Sequence, residues 1–218
     1  MSSPAWLYLH GFASSPGSTK AKAFVRWGAE RGVTIEALDL RTPSLEHLRF
    51  SAILDRVKTA IGPDPKARAV LVGSSLGGLT ACRVAESDPR VCAVFAMAPA
   101  FRLAERWRKR LGEEAWNEWR ERDALAIDDW ATGRKTHVDF GFVEELGRLD
   151  TGFPDVRVPV RIVHGTKDEI VDIELSRSWA RGKPHVRLVE VDDTHELTAS
   201  TDLLLREATS FFAAFTGV

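Results

Sequence analysis

The stretch Val70–Leu79 constrains the fold of this chain more than any other. It opens as a short apolar run rich in β-branched residues, passes through small residues and continues at once as a helical pattern. This is the order that a strand, a tight turn and a helix require. Gly73 and Gly77 hold the outer positions of G-x-S-x-G, where side chains would collide as the strand reverses. The stretch therefore predicts a nucleophile elbow that exposes the Ser75 hydroxyl.

Strand and helix patterns alternate on both sides of this elbow. Apolar runs predict six strands, at 6–10, 34–38, 69–72, 91–98, 160–164 and 186–191. Amphipathic segments predict helices at about 19–31, 45–61, 75–87, 173–181 and 200–215, the first two capped by Ser18 or Thr19 and by Ser44. Since strands separated by helices form parallel crossovers, we expect an α/β fold with an about six-stranded, mostly parallel sheet flanked by helices.

The alternation stops between Phe101 and Arg157, and a gap of this length inside a compact domain needs structure of its own. Its predicted elements are helical segments around 103–111, 116–119 and 142–149 and a hairpin with arms 130–132 and 135–139. We therefore expect residues 101–157 to form an inserted cap, and residues 1–100 and 158–218 to form one core domain.

Tryptophan is concentrated in this cap. Four of the seven tryptophans lie there, at Trp107, Trp116, Trp119 and Trp130, and an apolar lid over a substrate pocket would use such residues. Packing of the cap against the main domain is an equally good explanation for each of them. The four are therefore candidate substrate-binding residues.

Composition excludes several classes of function. The 218 residues, 44% of them hydrophobic, suffice for one sizeable core. The formal net charge is −1, and no block of like charge indicates a nucleic-acid or membrane surface. The first residues lack the basic and apolar segments of a signal peptide. We expect a cytoplasmic protein with neither kind of partner; its oligomeric state is not indicated.

The two cysteines indicate no metal site. Cys82 lies in a helical pattern and Cys92 in a strand pattern, and their spacing fits neither metal ligation nor a disulfide framework. We expect both to be reduced core residues.

Two strand-end loops supply the partners that a nucleophilic serine needs. A serine hydroxyl requires a base within hydrogen-bond reach and a carboxylate that orients the base. Asp168 follows the strand at 160–164, and His195 follows the strand at 186–191. Because these loops and the elbow all lie at the carboxyl ends of parallel strands, we expect Ser75, Asp168 and His195 to form a catalytic triad.

Other residues compete for these roles. The acid has four rivals near the same loops, which are Glu169, Asp172, Asp192 and Asp193. Among the other histidines, His10 and His164 end strands beside glycine, which favours a structural role. The oxyanion hole needs two backbone N–H groups. Leu76 follows the nucleophile and Phe12 follows the turn that Gly11 permits, so these two residues are the predicted donors.

Three motifs carry a resemblance to a known family. They are Tyr8–Phe12 with Ser14–Pro16 (Y-L-H-G-F and S-S-P), Leu71–Gly78 (L-V-G-S-S-L-G-G) and Lys167–Asp172 (K-D-E-I-V-D). With them the chain resembles the small bacterial YqiA-like esterases of the α/β-hydrolase superfamily, well over about residues 5–100 and loosely over 158–215. The resemblance implies the α/β-hydrolase fold and the same triad.

The chain also departs from this family. Its cap is longer and richer in tryptophan, and Asp192-Asp193-Thr194 precedes His195 where glycine or asparagine is more usual. These departures concern the substrate more than the reaction.

The combined prediction is a serine hydrolase without metal or organic cofactor. Its expected substrate is a small carboxylic ester with a short or medium acyl chain, cleaved through an acyl-enzyme. The same machinery serves thioesterases and peptidases, so both stay open. A non-catalytic α/β-hydrolase scaffold that binds small molecules is the alternative from another class.

Overall fold

The computed structural model of the chain describes residues 3–216. Its elements, numbered in chain order, are β1 (Ala5–Leu9), α1 (Thr19–Ala29), β2 (Ile35–Leu38), α2 (Phe50–Ile61), β3 (Ala69–Ser74), α3 (Leu76–Ser87), β4 (Val91–Met97), α4 (Leu103–Arg122), β5 (Leu125–Asp129), β6 (Arg134–Val138), α5 (Gly141–Leu149), β7 (Val160–Gly165), α6 (Ile173–Ala180), β8 (Val186–Val191) and α7 (Thr201–Thr216).

Six strands form one sheet in the order β2-β1-β3-β4-β7-β8. Every neighbouring pair in it is parallel, so the loops after β1, β3, β7 and β8 meet at one edge. Alternate residues of β1 enter different cores: Leu7 and Leu9 face α2 and α3, whereas Trp6 and Tyr8 face α1 and α7. Burial on both faces explains why the central strands are apolar throughout. The predicted α/β-hydrolase fold is confirmed.

The second helix begins later than predicted. Ser44 does not cap it: the Ser44 hydroxyl accepts the His47 N–H and closes a single turn, Arg49 is extended, and α2 starts at Phe50. The guanidinium of Arg49 donates to Asp139, which lies just after β6, at 2.6 Å. A long-range ion pair thus replaces the helical turns that local pattern favoured.

One arm of the predicted hairpin is wrong. The first arm is β5, at Leu125–Asp129, and residues 130–132 form the turn. The Asp129 carboxylate accepts hydrogen bonds from the Ala131 N–H and the Thr132 hydroxyl, which ends the strand. Gly133 completes the turn with φ of 69°. The second arm, β6, lies one residue earlier than the predicted 135–139.

The segment between β4 and β7 packs as a continuation of the main core. Its helix α4 unites two predicted helical segments and breaks at Gly112, which has φ of 79°. Trp119 and Phe142 share one buried cluster with Leu7 of the sheet. The division of the chain into a core domain and a cap stays a prediction. No helix within residues 3–216 combines the length and the apolar character needed to cross a membrane.

Candidate active site

Ser75 occupies the sharp turn between β3 and α3. Its backbone has φ of 53° and ψ of −114°, a conformation that a residue with a side chain adopts only under strain. Hydrogen bonds hold it there: the Ser75 N–H donates to Met97 O at 2.9 Å, and the Ser75 carbonyl accepts from Ala100 N at 3.0 Å. The elbow predicted from the sequence thus has the backbone geometry that projects the serine hydroxyl.

Glycine is required on both sides of this turn. A Cβ atom on Gly73 would overlap with the carbonyl of Gly77, and one on Gly77 would overlap with the carbonyl of Leu9. The start of α3 therefore lies against the end of β1. This contact brings the Leu76 N–H into the neighbourhood of the loop that begins at Gly11.

The carboxylate of Asp168 is buried and fully hydrogen-bonded. One oxygen, Oδ1, accepts the N–H groups of Ile170 and Val171 at 2.9 and 2.7 Å. The other, Oδ2, lies 2.8 Å from Nδ1 of His195, and the Asp168 side chain has no solvent exposure. The structure therefore brings the predicted acid and the predicted base together.

The charge of Asp168 determines which nitrogen of His195 is free. Burial by itself would raise the pKa of Asp168, but hydrogen bonds from His164, His195 and the Val171 N–H hold it well below its ordinary value. Because an ionised carboxylate only accepts hydrogen bonds, His195 donates from Nδ1. Its Nε2 atom remains as the acceptor that a serine hydroxyl requires.

Ser75 and His195 line one pocket of about 840 Å³. Within residues 3–216 no hydrogen bond joins the Ser75 hydroxyl to His195, whose side chain is 11% exposed. Catalytic hydrogen bonds are often long in the free protein and shorten when substrate binds. The two residues thus line one pocket, and Asp168 contacts His195; the triad stays a prediction.

Phe12 and Leu76 line the same pocket. Among the hydrogen bonds of the described residues, neither backbone N–H has an acceptor. Both N–H groups are therefore free to bind an oxyanion, and their role as its donors stays a prediction.

His10 holds the peptide that carries the Phe12 N–H. Its Nδ1 lies 2.8 Å from the carbonyl of Gly11, and its Nε2 accepts the Leu40 N–H at 3.0 Å. Burial lowers the pKa of His10, in accord with a neutral ring that donates from Nδ1. Since the Gly11 carbonyl and the Phe12 N–H belong to one planar peptide, fixing the carbonyl fixes the direction of the N–H.

A second histidine on the acid was not expected from the sequence. Nε2 of His164 lies 3.0 Å from Oδ2 of Asp168 and 3.0 Å from the carbonyl of Val171, and Nδ1 lies 2.8 Å from the Ser176 hydroxyl. Both neighbours of Nε2 are acceptors, so Nε2 carries the proton and Nδ1 accepts from Ser176. Sequence spacing shows no such link, because the chain reverses between His164 and Asp168.

The four rival acidic residues do not occupy the position that Asp168 holds beside His195. Asp172 caps α6 by accepting the Glu174 N–H, and Asp192 pairs with Lys167 at the surface. Asp193 accepts the N–H groups of Thr194 and Ser200 and so braces the loop that carries His195. Glu169 lines the pocket without contact to His195.

The four candidate tryptophans divide into two pairs. Trp107 and Trp130 line the pocket. Trp116 and Trp119 lie inside the insertion, where both pack against Phe140, and the expectation that they contact substrate is corrected accordingly. Helical spacing alone does not distinguish the two pairs, since the break at Gly112 reorients the second half of α4.

Within residues 3–216 no group of three or more His, Cys, Asp or Glu side chains is arranged to hold a metal ion.

Burial raises the pKa of Cys82 to about 12. This thiol therefore stays protonated near neutral pH.

Solved structures similar to this chain have the α/β-hydrolase fold. Alpha/beta hydrolase domain-containing protein 10 from mouse superposes with a TM-score of 0.81 at 21% identity, over 98% of this chain and 91% of the mouse chain. A hydrolase of Agrobacterium vitis S4 gives 0.82 at 22% identity, over 96% and 88%. Est1E from Butyrivibrio proteoclasticus gives 0.71 at 23% identity, over 97% and 89%.

Comparison of the sequence with known proteins identifies the family of this chain but no individual curated relative. No curated protein matches the chain significantly. The family described as "Uncharacterised protein family (UPF0227)" matches residues 5–213, in agreement with the resemblance to the YqiA-like proteins. With nearly its whole length matched, the chain belongs to the UPF0227 family.

Proposed function

We propose that this protein is a serine hydrolase that cleaves carboxylic esters of short or medium acyl chains through an acyl-enzyme. The observation that carries the proposal is the contact of 2.8 Å between Asp168 Oδ2 and His195 Nδ1, beside a strained serine in the same pocket. An acid, a base and a nucleophile at one site are the minimum set for acyl transfer.

Each residue of the site has a defined role in this mechanism. The Ser75 hydroxyl attacks the ester carbonyl while Nε2 of His195 takes its proton. The N–H groups of Phe12 and Leu76 bind the negative charge that develops on the carbonyl oxygen. Asp168 keeps the His195 ring oriented and stabilises the imidazolium. His195 then protonates the leaving alcohol, and a water molecule repeats the sequence on the acyl-enzyme.

The pocket walls favour a hydrocarbon acyl group. Phe12, Leu103, Trp107 and Ile170 line it, and apolar walls of this kind favour hydrocarbon chains over polar ones. Neither metal nor organic cofactor takes part in the proposed steps. Thioester and amide hydrolysis use the same groups and are tested beside ester hydrolysis.

A chromogenic panel tests the proposal. Oxygen esters, thioesters and amides of graded acyl length are compared, and we expect the highest kcat/KM for oxygen esters of two to eight carbons. A fluorophosphonate probe should add one adduct, at Ser75. If properly folded protein turns over no member of the panel and forms no adduct, the binding scaffold replaces the hydrolase.

A further inference from the structure

Two arginines of α4 face the pocket that contains Ser75. Arg106 and Arg110 line it together with the intervening Trp107. They are four residues apart, which places them on one face of the helix about 6 Å apart along its axis. The pocket wall formed by α4 therefore presents two guanidinium groups beside an aromatic ring.

Arg106 has no acidic partner. It donates to the carbonyl oxygens of Phe101 at 3.4 Å and Ile170 at 3.2 Å, and within residues 3–216 no carboxylate oxygen lies within 4.0 Å of it. A guanidinium has five N–H donors. The two carbonyl contacts fix its position and leave donors free for another acceptor.

The other partly buried arginines are neutralised. Arg49 pairs with Asp139 at 2.6 Å, Arg83 with Asp150 at 2.7 Å and Arg90 with Asp88 at 2.6 Å, and Arg161 pairs with Glu207. Removing a charge from water without a counter-charge is unfavourable, and burial lowers the pKa of Arg106 accordingly. An unpaired arginine in the catalytic pocket therefore calls for an anion from outside the chain.

The remaining charges near the pocket are mostly engaged. Lys20 donates to the Glu196 carbonyl at 2.6 Å and lies 3.6 Å from the Glu196 carboxylate. Asp168 is bound by its two histidines. Glu169 is the one pocket carboxylate among the described residues with no basic group within 4.0 Å, and it is exposed. The pocket thus contains two arginines, Arg106 and Arg110, and one acid without a basic partner, Glu169.

We propose that Arg106 and Arg110 bind an anionic group, a carboxylate or a phosphate, on the substrate whose ester bond Ser75 attacks. This inference rests on the proposed function and narrows its substrate class. The planar fork of a guanidinium matches both groups with two parallel hydrogen bonds. Phe12 and Trp107 then contact the hydrocarbon part between the anion and the ester.

Matched substrate pairs test the proposal. The 4-nitrophenyl monoester of glutarate is compared with the neutral 4-nitrophenyl pentanoate, and 1-butyrylglycerol 3-phosphate with 1-butyrylglycerol. We expect kcat/KM to favour one anionic member on the order of tenfold, which equals about 1.4 kcal/mol. A preference within the glutarate pair identifies a carboxylate on the acyl side of the ester, and one within the glycerol pair identifies a phosphate on the alcohol side. A ratio of one or less in both pairs overturns the proposal.

Variants assign the preference to the two arginines. We expect Arg106→Gln and Arg110→Gln each to bring the ratio of kcat/KM for the anionic ester to that for the neutral ester toward one. Arg110 is exposed, so its replacement does not endanger folding. Arg108→Gln is the matched control, because Arg108 lies on the same helix, is exposed and pairs with Glu113 outside the pocket. If both pocket variants keep the wild-type ratio, another group binds the anion.

A binding measurement separates this proposal from the hydrolase itself. In Ser75→Ala protein, Trp fluorescence reports binding of the glutarate monoester and of pentanoate ester without turnover. Tighter binding of the anionic ester, lost in the Arg106→Gln background, supports the anion site even if no ester is hydrolysed. Equal binding of both esters contradicts it, even if the hydrolase is correct.

Discussion

Nε2 of His164 lies 3.0 Å from the same carboxylate oxygen of Asp168 that accepts the hydrogen bond from Nδ1 of His195. The carboxylate of Asp168 thus lies between two imidazole rings, one buried and one at the pocket. The buried ring is fixed in turn by the Ser176 hydroxyl at 2.8 Å. We interpret His164 as a positioning residue, which acts on the reaction only through Asp168.

Replacing His164 should change the hydrogen bonding of the Asp168 carboxylate while leaving the carboxylate itself in place. In His164→Ala, Asp168 loses one donor, so its pKa should rise from its depressed value, and a hydrogen bond to a charged group contributes about 1.5–3 kcal/mol. The stability that a depressed carboxyl pKa supplies is present above pH of about 3.9 and is lost as pH falls. The variant should therefore be less stable than wild type near neutral pH and lose less further stability below pH of about 3.9, and its kcat should fall because Asp168 orients His195 less well.

His164→Gln keeps an N–H donor on a side chain of similar length and should restore much of the loss. His185→Gln is the control, because His185 contacts the carbonyl of Val156 far from the pocket. A His164→Ala profile that coincides with wild type between pH 3 and 8 would contradict a positioning role.

Ser75→Ala should abolish ester hydrolysis. Members of a triad act as a unit, so removal of the nucleophile lowers kcat by about a thousandfold or more. Alanine has no larger side chain, and the elbow backbone is held by Met97 and Ala100, so thermal unfolding should stay close to wild type. Ser87→Ala, at the exposed end of the same helix, is the control for kcat. Near-normal turnover by Ser75→Ala would show that Ser75 is not the nucleophile.

The buried ring of His10 should make the fold sensitive to mild acid. Burial lowers its pKa in the folded state, whereas the unfolded chain keeps a value of about 6.5. Its contribution is therefore complete above pH 6.5 and decreases as pH falls, by at most about 1.4 kcal/mol per pH unit. Urea unfolding at several values between pH 7.5 and 5 measures this slope.

In His10→Asn the slope over this range should be smaller than in wild type, whatever the absolute stability of the variant. The same variant should lower kcat more than it raises KM, since the Gly11 carbonyl and the Phe12 N–H lose their fixed direction. An unchanged slope would show that His10 titrates alike in both states.

The two pocket tryptophans should act differently. Trp107 packs on Phe12 with ring centroids 4.9 Å apart, so Trp107→Ala should both destabilise the fold, by about 1–3 kcal/mol, and alter acyl-length preference. Trp130 is 75% exposed, and Trp130→Ala should alter preference with a stability change within about 0.5 kcal/mol. Kinetics across the acyl-length series and thermal unfolding measure the two effects.

Trp116→Ala provides the contrast, because Trp116 packs inside the insertion against Phe140. It should reduce stability and leave the order of substrates unchanged. A shift in acyl-length preference with Trp116→Ala, and none with Trp130→Ala, would reverse the assignment of the two pairs.

The local sequence pattern predicted the structure correctly where interactions between neighbouring residues determine it. The strand at 186–191 was predicted with its observed bounds, because β-branched alternation and flanking breakers are properties of neighbouring residues. The approach of Asp168 to His195 was also predictable, since a parallel sheet brings the loops after its strands to one edge. In both cases the chain order contains the necessary information.

Local pattern failed where a distant partner decides the conformation. Ser44 is a good helix cap by type, yet α2 starts at Phe50, after an extended Arg49 whose guanidinium binds Asp139, ninety residues away in the sequence. The first hairpin arm was misplaced for a related reason, since the side chain of Asp129 closes the turn onto the residues that follow it.

The amino-acid sequence by itself determined the order of strands and helices, the strained elbow at Ser75 and the three residue types that acyl transfer needs. The tertiary structure alone decided which side chains surround them: His164 on the acid, Trp107 at the pocket wall and Arg106 without a counter-charge. Periodicity and spacing depend on neighbours along the chain, whereas these contacts join residues that only the packing of helices onto a sheet brings together.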